Sequence, residues 1–237
     1  MSQDFQTKLQ IIIEDVVPEC RLQVRSDIDL ILATGAKSYH DWITLLKEQK
    51  ADAEMLKTIC WTLARLGDDT ALPALLTTLK TAKPLVRAEA ALALGTLGNK
   101  ECLSYLLDTL NEDEDIKVRS AAAYAVGLLG NKEAVKQLVK VLENQHENSQ
   151  VRGQAAEALS DLGDTQAVVP LIKALKDDSV EVRFWSAFAL GQLGSPQAIP
   201  ELEKLATTDS TTLPGWGTIN QEAQEAIEAI RSCEISG

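Results

Sequence analysis

The dipeptide Leu-Gly recurs along this chain at nearly constant intervals, and this feature restricts the fold more than any other. The glycines stand 31, 32, 33 and 31 residues apart, at Gly67, Gly98, Gly130, Gly163 and Gly194. A period of this length is typical of proteins in which similar supersecondary units stack and each unit contacts its neighbours. The 237 residues are therefore expected to form an array of repeats instead of a single central core.

A second dipeptide, Val-Arg, stands eleven residues before four of these glycines. The intervening residues follow the pattern Val-Arg-x-x-Ala-Ala-x-Ala-Leu-Gly-x-Leu-Gly, whose apolar spacing is that of a helix. The closing glycine suits a helix C-terminus, because it adopts a left-handed conformation without steric cost. Each unit thus predicts two helices, called helix A and, from Val-Arg to Leu-Gly, helix B.

The register of these dipeptides predicts seven helix pairs. They span about residues 3–34, 38–66, 70–97, 100–129, 132–162, 165–193 and 196–231. We expect an all-α fold, an α-solenoid that turns as a right-handed superhelix, with helix A outside and helix B lining the concave side.

One solenoid is expected to extend over the whole chain, 1–237, as a single domain. Its first pairs, over 3–66, depart from the repeat pattern, and the regular repeats cover 67–194. Residues 195–237 are expected to form a C-terminal cap that includes a loop at 207–217. Irregular ends are expected, because a terminal repeat needs a polar outer face.

The net charge of the chain excludes two classes of partner. With 35 acidic and 23 basic residues the net charge is −12. A nucleic-acid partner needs a cationic surface, and an anionic membrane repels an acidic one, so neither is expected. The start of the chain lacks the pattern of a signal peptide, and no segment reaches the roughly 20 apolar residues of a membrane span. We expect a cytoplasmic protein.

The sequence contains no pattern that indicates catalysis. Its four cysteines, Cys20, Cys60, Cys102 and Cys233, form no C-x-x-C pair, which predicts neither a disulfide nor a metal site. Cys60 and Cys102 stand where other repeats place Ala, which predicts that both are buried. Nucleotide-binding loops and nucleophile–base sets are missing from the sequence. We therefore predict no catalytic residue and no metal, and favour a protein without intrinsic catalysis.

Four columns of helix B vary between repeats. Counted from the repeat arginine, these are positions +1, +2, +5 and +9, which a rotation of about 100° per residue places opposite the core. The columns hold an apolar strip made of Trp61, Leu92, Tyr124, Phe184, Trp185 and Phe188. We expect this strip to be exposed and to bind a partner protein, with its aromatics as hot spots. Burial of the strip against neighbouring repeats is the alternative.

Two further residues extend the predicted partner-binding groove. Glu157 interrupts the strip and is expected to select a basic group on the partner. The inserted loop contains Pro214, Gly215 and Gly217, which predict a turn around Trp216. Either Trp216 plugs the end of the last core, or the loop closes one end of the groove.

The repeat arginines are predicted to be structural. These residues are Arg87, Arg119, Arg152 and Arg183. Because they recur in every regular repeat, each is expected to pair with acidic residues of the adjoining turn and so form a ladder of ion pairs.

The period and the VRxxAAxALGxLG core resemble the HEAT-like repeats of the phycobilisome (bilin) lyase type. Such repeats occur in bilin lyase subunits of cyanobacteria and in many unrelated scaffolds, and the resemblance covers residues 50–200 well. Deoxyhypusine hydroxylases resemble this fold too, but they hold a di-iron centre with several His-Glu pairs. This chain has one such pair, His146-Glu147, which is too few for that site.

The resemblance implies a scaffold or chaperone that holds a client protein, with a phycobiliprotein as the named candidate. The first alternative is a subunit of a bilin lyase system that attaches or removes phycobilin chromophores. A flat phycobilin suits an aromatic strip, but its propionates need cations, and the groove columns offer mainly Lys57 and Arg65. The second alternative is a helper in another assembly pathway, such as iron–sulfur cluster delivery, in which any cluster belongs to the partner.

Overall fold

A computed structural model describes residues 3–16 and 18–236, with side chains over 3–16 and 23–233. Over these residues the chain forms fourteen α-helices and one sheet of two very short strands. The helices follow one another as seven pairs, so the predicted all-α solenoid class is confirmed. The helices divide between two compact units, Met1–Tyr105 and Leu106–Gly237.

The first unit contains three helix pairs. Its helices are α1 (Gln3–Asp15), α2 (Pro18–Ala33), α3 (Tyr39–Glu48), α4 (Ala53–Leu66), α5 (Leu72–Thr81) and α6 (Pro84–Leu97). Trp42 is fully buried among them, where its indole N–H donates to the carbonyl oxygen of Ala36 at 3.1 Å. The ring of Phe5 packs edge-on against Trp42, with ring centroids 5.8 Å apart. The two aromatics tie the first helix to the second pair.

The remaining helix pairs run through the second unit, and α7 spans the boundary between the units. These elements are α7 (Leu103–Glu112), α8 (Ile116–Leu129), α9 (Val135–Glu143), α10 (Ser149–Leu162), α11 (Val168–Ala174), α12 (Val180–Leu193), α13 (Ile199–Thr208), β1 (Thr212–Leu213), β2 (Gly217–Thr218) and α14 (Ile219–Ser236). Helices α8, α10, α12 and α14 pack side by side as a layer of B helices. Helices α9, α11 and α13 each pack against the B helix of their own pair.

The helix ends follow the repeat pattern. The glycine after each of α4, α6, α8, α10 and α12 has a φ between +58° and +72°, the left-handed conformation that glycine adopts without strain. At the other end of α8, a carboxylate oxygen of Asp115 accepts the backbone N–H of Lys117 at 2.8 Å. The glycines thus end these five B helices, and Asp115 caps the start of α8.

The B helices approach one another very closely. A Cβ atom at Gly191 of α12 would lie 2.9 Å from the Cα of Ala226 on α14, a distance at which atoms must move apart. The small residues of the repeat therefore allow backbone-to-backbone packing within the B layer.

The inserted loop forms a β-hairpin, which the sequence analysis did not predict. Thr212 pairs with Thr218 and Leu213 with Gly217, in antiparallel register. The backbone N–H of Trp216 donates to the carbonyl of Leu213 at 3.0 Å, which closes the turn. We call residues 212–218 the Trp216 hairpin.

The described cysteines and helices add three findings. Cys60 and Cys102 are buried and free, and Cys233 is exposed and free, whereas the side chain of Cys20 lies outside the described part. In the described ranges, no group of three or more His, Cys, Asp or Glu residues is arranged to hold a metal ion. None of the described helices has both the length and the apolar character needed to cross a membrane.

Candidate partner-binding cleft

Arg119 on α8 links two consecutive repeats. Its guanidinium donates to both carboxylate oxygens of Glu147, at 3.0 and 2.8 Å, in the turn before α10. It also donates to the carbonyl of Asp113 in its own turn, at 2.7 Å. Although burial raises the pKa of Glu147, hydrogen bonds from Arg119 and from the N–H of Asn148 hold that pKa below its usual value. The arginine thus fastens its own turn to that of the next repeat.

Arg152 on α10 repeats the arrangement in a more buried setting. Its guanidinium pairs with Asp177 before α12, and the two side chains are 7% and 3% exposed. Burial raises the pKa of Asp177, but hydrogen bonds from Arg152, the N–H of Ser179 and Gln145 more than offset this and lower it. Because both charges are buried, removal of either partner leaves the other uncompensated.

The other two repeat arginines bond to their own turns as well. Arg87 donates to the carbonyl of Ala82 at 3.0 Å. Arg183 donates to the carbonyl of Asp177 in its own turn at 2.7 Å, and in the next turn to the carboxylate of Asp209 at 2.7 Å and to the Thr211 hydroxyl at 3.1 Å. Asp209 and Thr211 lead into the Trp216 hairpin, so Arg183 is a positioning residue for that hairpin.

Four aromatic side chains gather at the hairpin and on α12, and we call them the aromatic cluster: Phe184, Trp185, Phe188 and Trp216. Trp185 is at the centre. Its ring centroid lies 5.4 Å from that of Phe184, 5.6 Å from that of Phe188 and 4.8 Å from that of Trp216. All three pairs meet edge to face, the arrangement favoured by aromatic quadrupoles.

The expectation that the whole strip is exposed is wrong at two of these residues. Phe184 is 4% exposed and Trp185 is 9% exposed. The reason lies in the B layer, where α12 has the B helices α10 and α14 on its two sides. Trp185 reaches across Gly153 of α10, where an added Cβ would lie 3.1 Å from the Trp185 ring. The alternative, burial against neighbouring repeats, holds for these two positions.

Trp216 has the opposite environment. Its side chain is 65% exposed, so of the two alternatives for Trp216 the one in which it plugs the end of the last core is wrong. The hairpin holds the indole against Trp185 and Phe184 instead. The insertion therefore adds an exposed aromatic residue beside a buried aromatic base.

A cleft of about 410 Å³ opens beside this cluster, and we call it the acidic cleft. Its lining consists of Glu157, Phe184, Trp185, Phe188, Gly191, Gln192, Trp216, Glu222, Glu225, Ala226 and Ala229. The aromatic cluster forms one wall, and the carboxylates come from α10 and α14. No basic residue is among the described residues that line it. The cleft is therefore aromatic and negatively charged.

Two carboxylates of the cleft, those of Glu222 and Glu157, have raised pKa values. Burial, and then the neighbouring charge of Glu225, raise the pKa of Glu222 from 4.5 to about 7. Burial and the charge of Asp161 raise the pKa of Glu157, although a hydrogen bond from Gln154 acts in the other direction. Both directions are expected for half-buried carboxylates in a lining that contains no cation.

Sequence reasoning missed Glu222 and Glu225 as members of the site. The repeat register contained a signal for both, because they occupy the +2 and +5 columns of the last helix B. The register does place Glu225 in line with Phe188, but the hairpin insertion and the weak pattern of that helix kept both glutamates out of the predicted groove.

The other predicted groove residues lie elsewhere. Tyr124 is on α8, 36% exposed, and is not part of the lining of the acidic cleft. Trp61 and Leu92 are half-buried residues of the first unit.

Trp61 already has a cation from its own chain. The guanidinium carbon of Arg65 lies 5.2 Å from the Trp61 ring centroid, and Arg65 also pairs with Asp15. Lys57 pairs with Glu54 at 3.0 Å. Both cations that could receive bilin propionates are therefore engaged with carboxylates.

The polar side chains of the acidic cleft are three carboxylates and one amide, those of Glu157, Glu222, Glu225 and Gln192, beside the indole N–H groups of its tryptophans. Its lining contains no Ser, Cys, His or Lys that could act as a nucleophile. Of the described thiols, that of Cys60 is fully buried, and burial raises its pKa, which makes a reactive thiolate unfavourable. A shaped apolar wall with a few polar groups is typical of a recognition site.

Comparisons with known proteins agree with the repeat architecture. A sequence profile of HEAT repeats matches residues 41–127, 103–180 and 135–213, which together make up more than half of the chain. A search of curated proteins gives no significant match.

Several solved structures are similar to this chain. One is the complex of CpcE and CpcF of phycocyanin lyase from Nostoc sp. PCC7120, at 25% identity and a TM-score of 0.59, over 81% of this chain and 77% of that one. Two engineered proteins match at 25% identity, with TM-scores of 0.53 and 0.50, over 83% and 81% of this chain and 99% and 97% of theirs. The predicted resemblance to HEAT-like repeats of the bilin lyase type is confirmed, and the chain belongs to the HEAT-repeat family.

Proposed function

We propose that this chain is a protein-interaction scaffold of the phycobilisome-lyase HEAT class and binds a partner protein at the acidic cleft. The observation that carries the proposal is the exposed Trp216, held 4.8 Å from the buried Trp185. An exposed aromatic residue on a rigid aromatic base loses little conformational entropy when a partner covers it. This is the arrangement of a binding hot spot.

A phycobiliprotein is the proposed client, which the scaffold holds as a chaperone. The support is the similarity to the CpcE and CpcF complex, which is part of a phycocyanin lyase. Such a client implies that the protein acts in the cytoplasm of a cyanobacterium.

The experiment is a calorimetric titration of the full chain with purified apo-phycocyanin. The Trp216→Ala and Phe188→Ala variants are expected to weaken binding by about tenfold or more, as hot-spot aromatics do. Tyr124→Ala is the matched control, because Tyr124 is a partly exposed aromatic of the same unit outside the cleft. Equal binding by Trp216→Ala and the unaltered chain would contradict the proposal.

The second candidate is a subunit of a bilin lyase system, which the same structural similarity favours. In this case the chain holds the protein substrate, because the acidic cleft repels the propionates of a phycobilin. Phycocyanobilin added to the purified chain is then expected to show no saturable change in visible absorption. A saturable red shift that disappears in Trp216→Ala would instead indicate that the pigment binds in the cleft.

A further inference from the structure

We propose that the acidic cleft receives an arginine side chain of the partner protein, held between the aromatic cluster and the carboxylates of Glu157, Glu222 and Glu225. The inference rests on the proposed function and specifies what the partner must present.

The size and walls of the cleft suit one long side chain. Its volume of about 410 Å³ is that of a small-ligand site, and it lies within the second unit between α12, α14 and the hairpin. The aromatic wall is formed by Trp185, Phe188 and Trp216. An extended partner segment can lie across the opening while a single residue enters.

The charges of the cleft select a cation. Carboxylates from α10 and from two positions of α14 face the same space, and no described lining residue neutralises them. Glu157 and Glu222 are half-buried, and a half-buried carboxylate with no cation beside it is unfavourable when ionised, although Glu157 accepts a hydrogen bond from Gln154. A cation that enters the cleft removes this cost and gains charge-assisted hydrogen bonds.

The first unit contains an internal precedent for this occupant. There, the guanidinium of Arg65 lies over the Trp61 ring at 5.2 Å and pairs with the carboxylate of Asp15. The acidic cleft has the same two components, an indole and carboxylates. Across the described lining of the cleft, the third component, the guanidinium, is missing.

Arginine fits the cleft better than lysine. A guanidinium is planar, stacks on aromatic rings, and can donate to two carboxylates at once, whereas an ammonium is more strongly hydrated. The carboxylates come from two different helices, so a planar donor with several N–H groups can reach more than one of them.

The test is a titration of the ¹⁵N-labelled full chain with the peptide acetyl-Gly-Arg-Gly-amide. The chain has four tryptophans, whose indole N–H signals report separately on Trp42, Trp61, Trp185 and Trp216. We expect saturable shifts of the Trp185 and Trp216 signals, and unchanged signals from Trp42 and Trp61. The same peptide with citrulline, which is uncharged and nearly isosteric, is expected to bind about tenfold more weakly.

Substitution of the cleft carboxylates tests whether their charge is needed to bind the arginine peptide. The Glu157→Gln/Glu222→Gln double variant is expected to bind the arginine peptide about tenfold more weakly than the unaltered chain does. The matched control is Glu112→Gln, which removes an exposed carboxylate of the second unit outside the cleft and is expected to leave the affinity unchanged. Equal binding of the arginine and citrulline peptides, shifts confined to Trp61, or no shift at millimolar peptide would each overturn the inference.

The outcome is separable from that of the proposed function. If the arginine peptide does not bind but Trp216→Ala still weakens apo-phycocyanin binding, the cleft binds a partner through other contacts. In that case only the arginine inference is wrong. If the peptide binds but apo-phycocyanin does not, the arginine site stands and the proposed client is wrong.

Discussion

Trp61 in the first unit and the Trp185–Trp216 pair in the second offer a comparison of two aromatic sites within one repeat protein. Around Trp61, the chain provides its own cation, Arg65, and its own carboxylate, Asp15. Around Trp185, it provides aromatics and carboxylates, and the described lining contains no cation. One aromatic site is thus complemented by charges of its own chain, and the other is left open. The open site is the better candidate for binding a partner.

The two tryptophans of the open site differ from each other in burial, and substitution should separate them. Trp185→Ala removes a buried ring and is expected to lower the free energy of unfolding by about 4 kcal/mol, the typical cost of an aromatic cavity. Denaturant unfolding measures the change. A loss under about 1 kcal/mol would mean that Trp185 is a surface residue, as the repeat register alone suggested.

Removing an ion-pair arginine should cost much more unfolding free energy in the second unit than in the first. Arg152→Ala leaves the buried carboxylate of Asp177 without its cation, and is expected to lower the free energy of unfolding by about 3 kcal/mol. Arg65→Ala, the matched change in the first unit, breaks a pair whose carboxylate is largely exposed, and should cost less than about 1 kcal/mol. Equal losses in denaturant unfolding would contradict the assignment of Arg152 to a buried ladder.

The acidic cleft should respond to pH through Glu222. Its pKa rises from 4.5 to about 7 on folding, so the folded state holds the proton more tightly than the unfolded chain. The stability that this proton contributes is present below pH 4.5 and is lost as pH rises to about 7. The midpoint temperature of thermal unfolding should therefore fall between pH 4.5 and about 7 in the unaltered chain, relative to the Glu222→Gln variant, whose side chain stays uncharged.

The other titrating groups remain the same in that comparison. Glu157 and Glu225 face the same cleft in both proteins, and the carboxylates of the arginine ladder are also unchanged. Binding of the arginine peptide should strengthen over the same pH range, since ionised Glu222 attracts the guanidinium. Parallel unfolding profiles for the two proteins would show that Glu222 titrates normally.

The smallest effect on stability is expected for Trp216→Ala. The side chain is 65% exposed, so its removal should change the free energy of unfolding by less than about 1 kcal/mol. Binding of the arginine peptide should nevertheless be lost. A large loss of stability without loss of binding would assign Trp216 to the core and remove it from the site.

The sequence by itself determined the repeat, its helix boundaries and the fold class. Leu-Gly and Val-Arg are local signals: the glycine ends a helix through its own left-handed backbone, and Asp115 caps one through the adjacent N–H groups. Such preferences act within a few residues and recur in each regular unit, so the spacing located the helix pairs of the regular repeats, whereas the two outer pairs were inferred from weaker patterns.

Only the tertiary structure decided which side chains face solvent and which meet in the acidic cleft. A helical projection places Phe184 and Trp185 opposite the core of their own helix, but it contains no information about the B helices on either side. Their burial depends on the small Gly153 of one neighbour and on the hairpin that lays Trp216 against them. The carboxylates likewise join the aromatics only through packing of α10, α12 and α14, because residues far apart in sequence become neighbours when separate repeats stack.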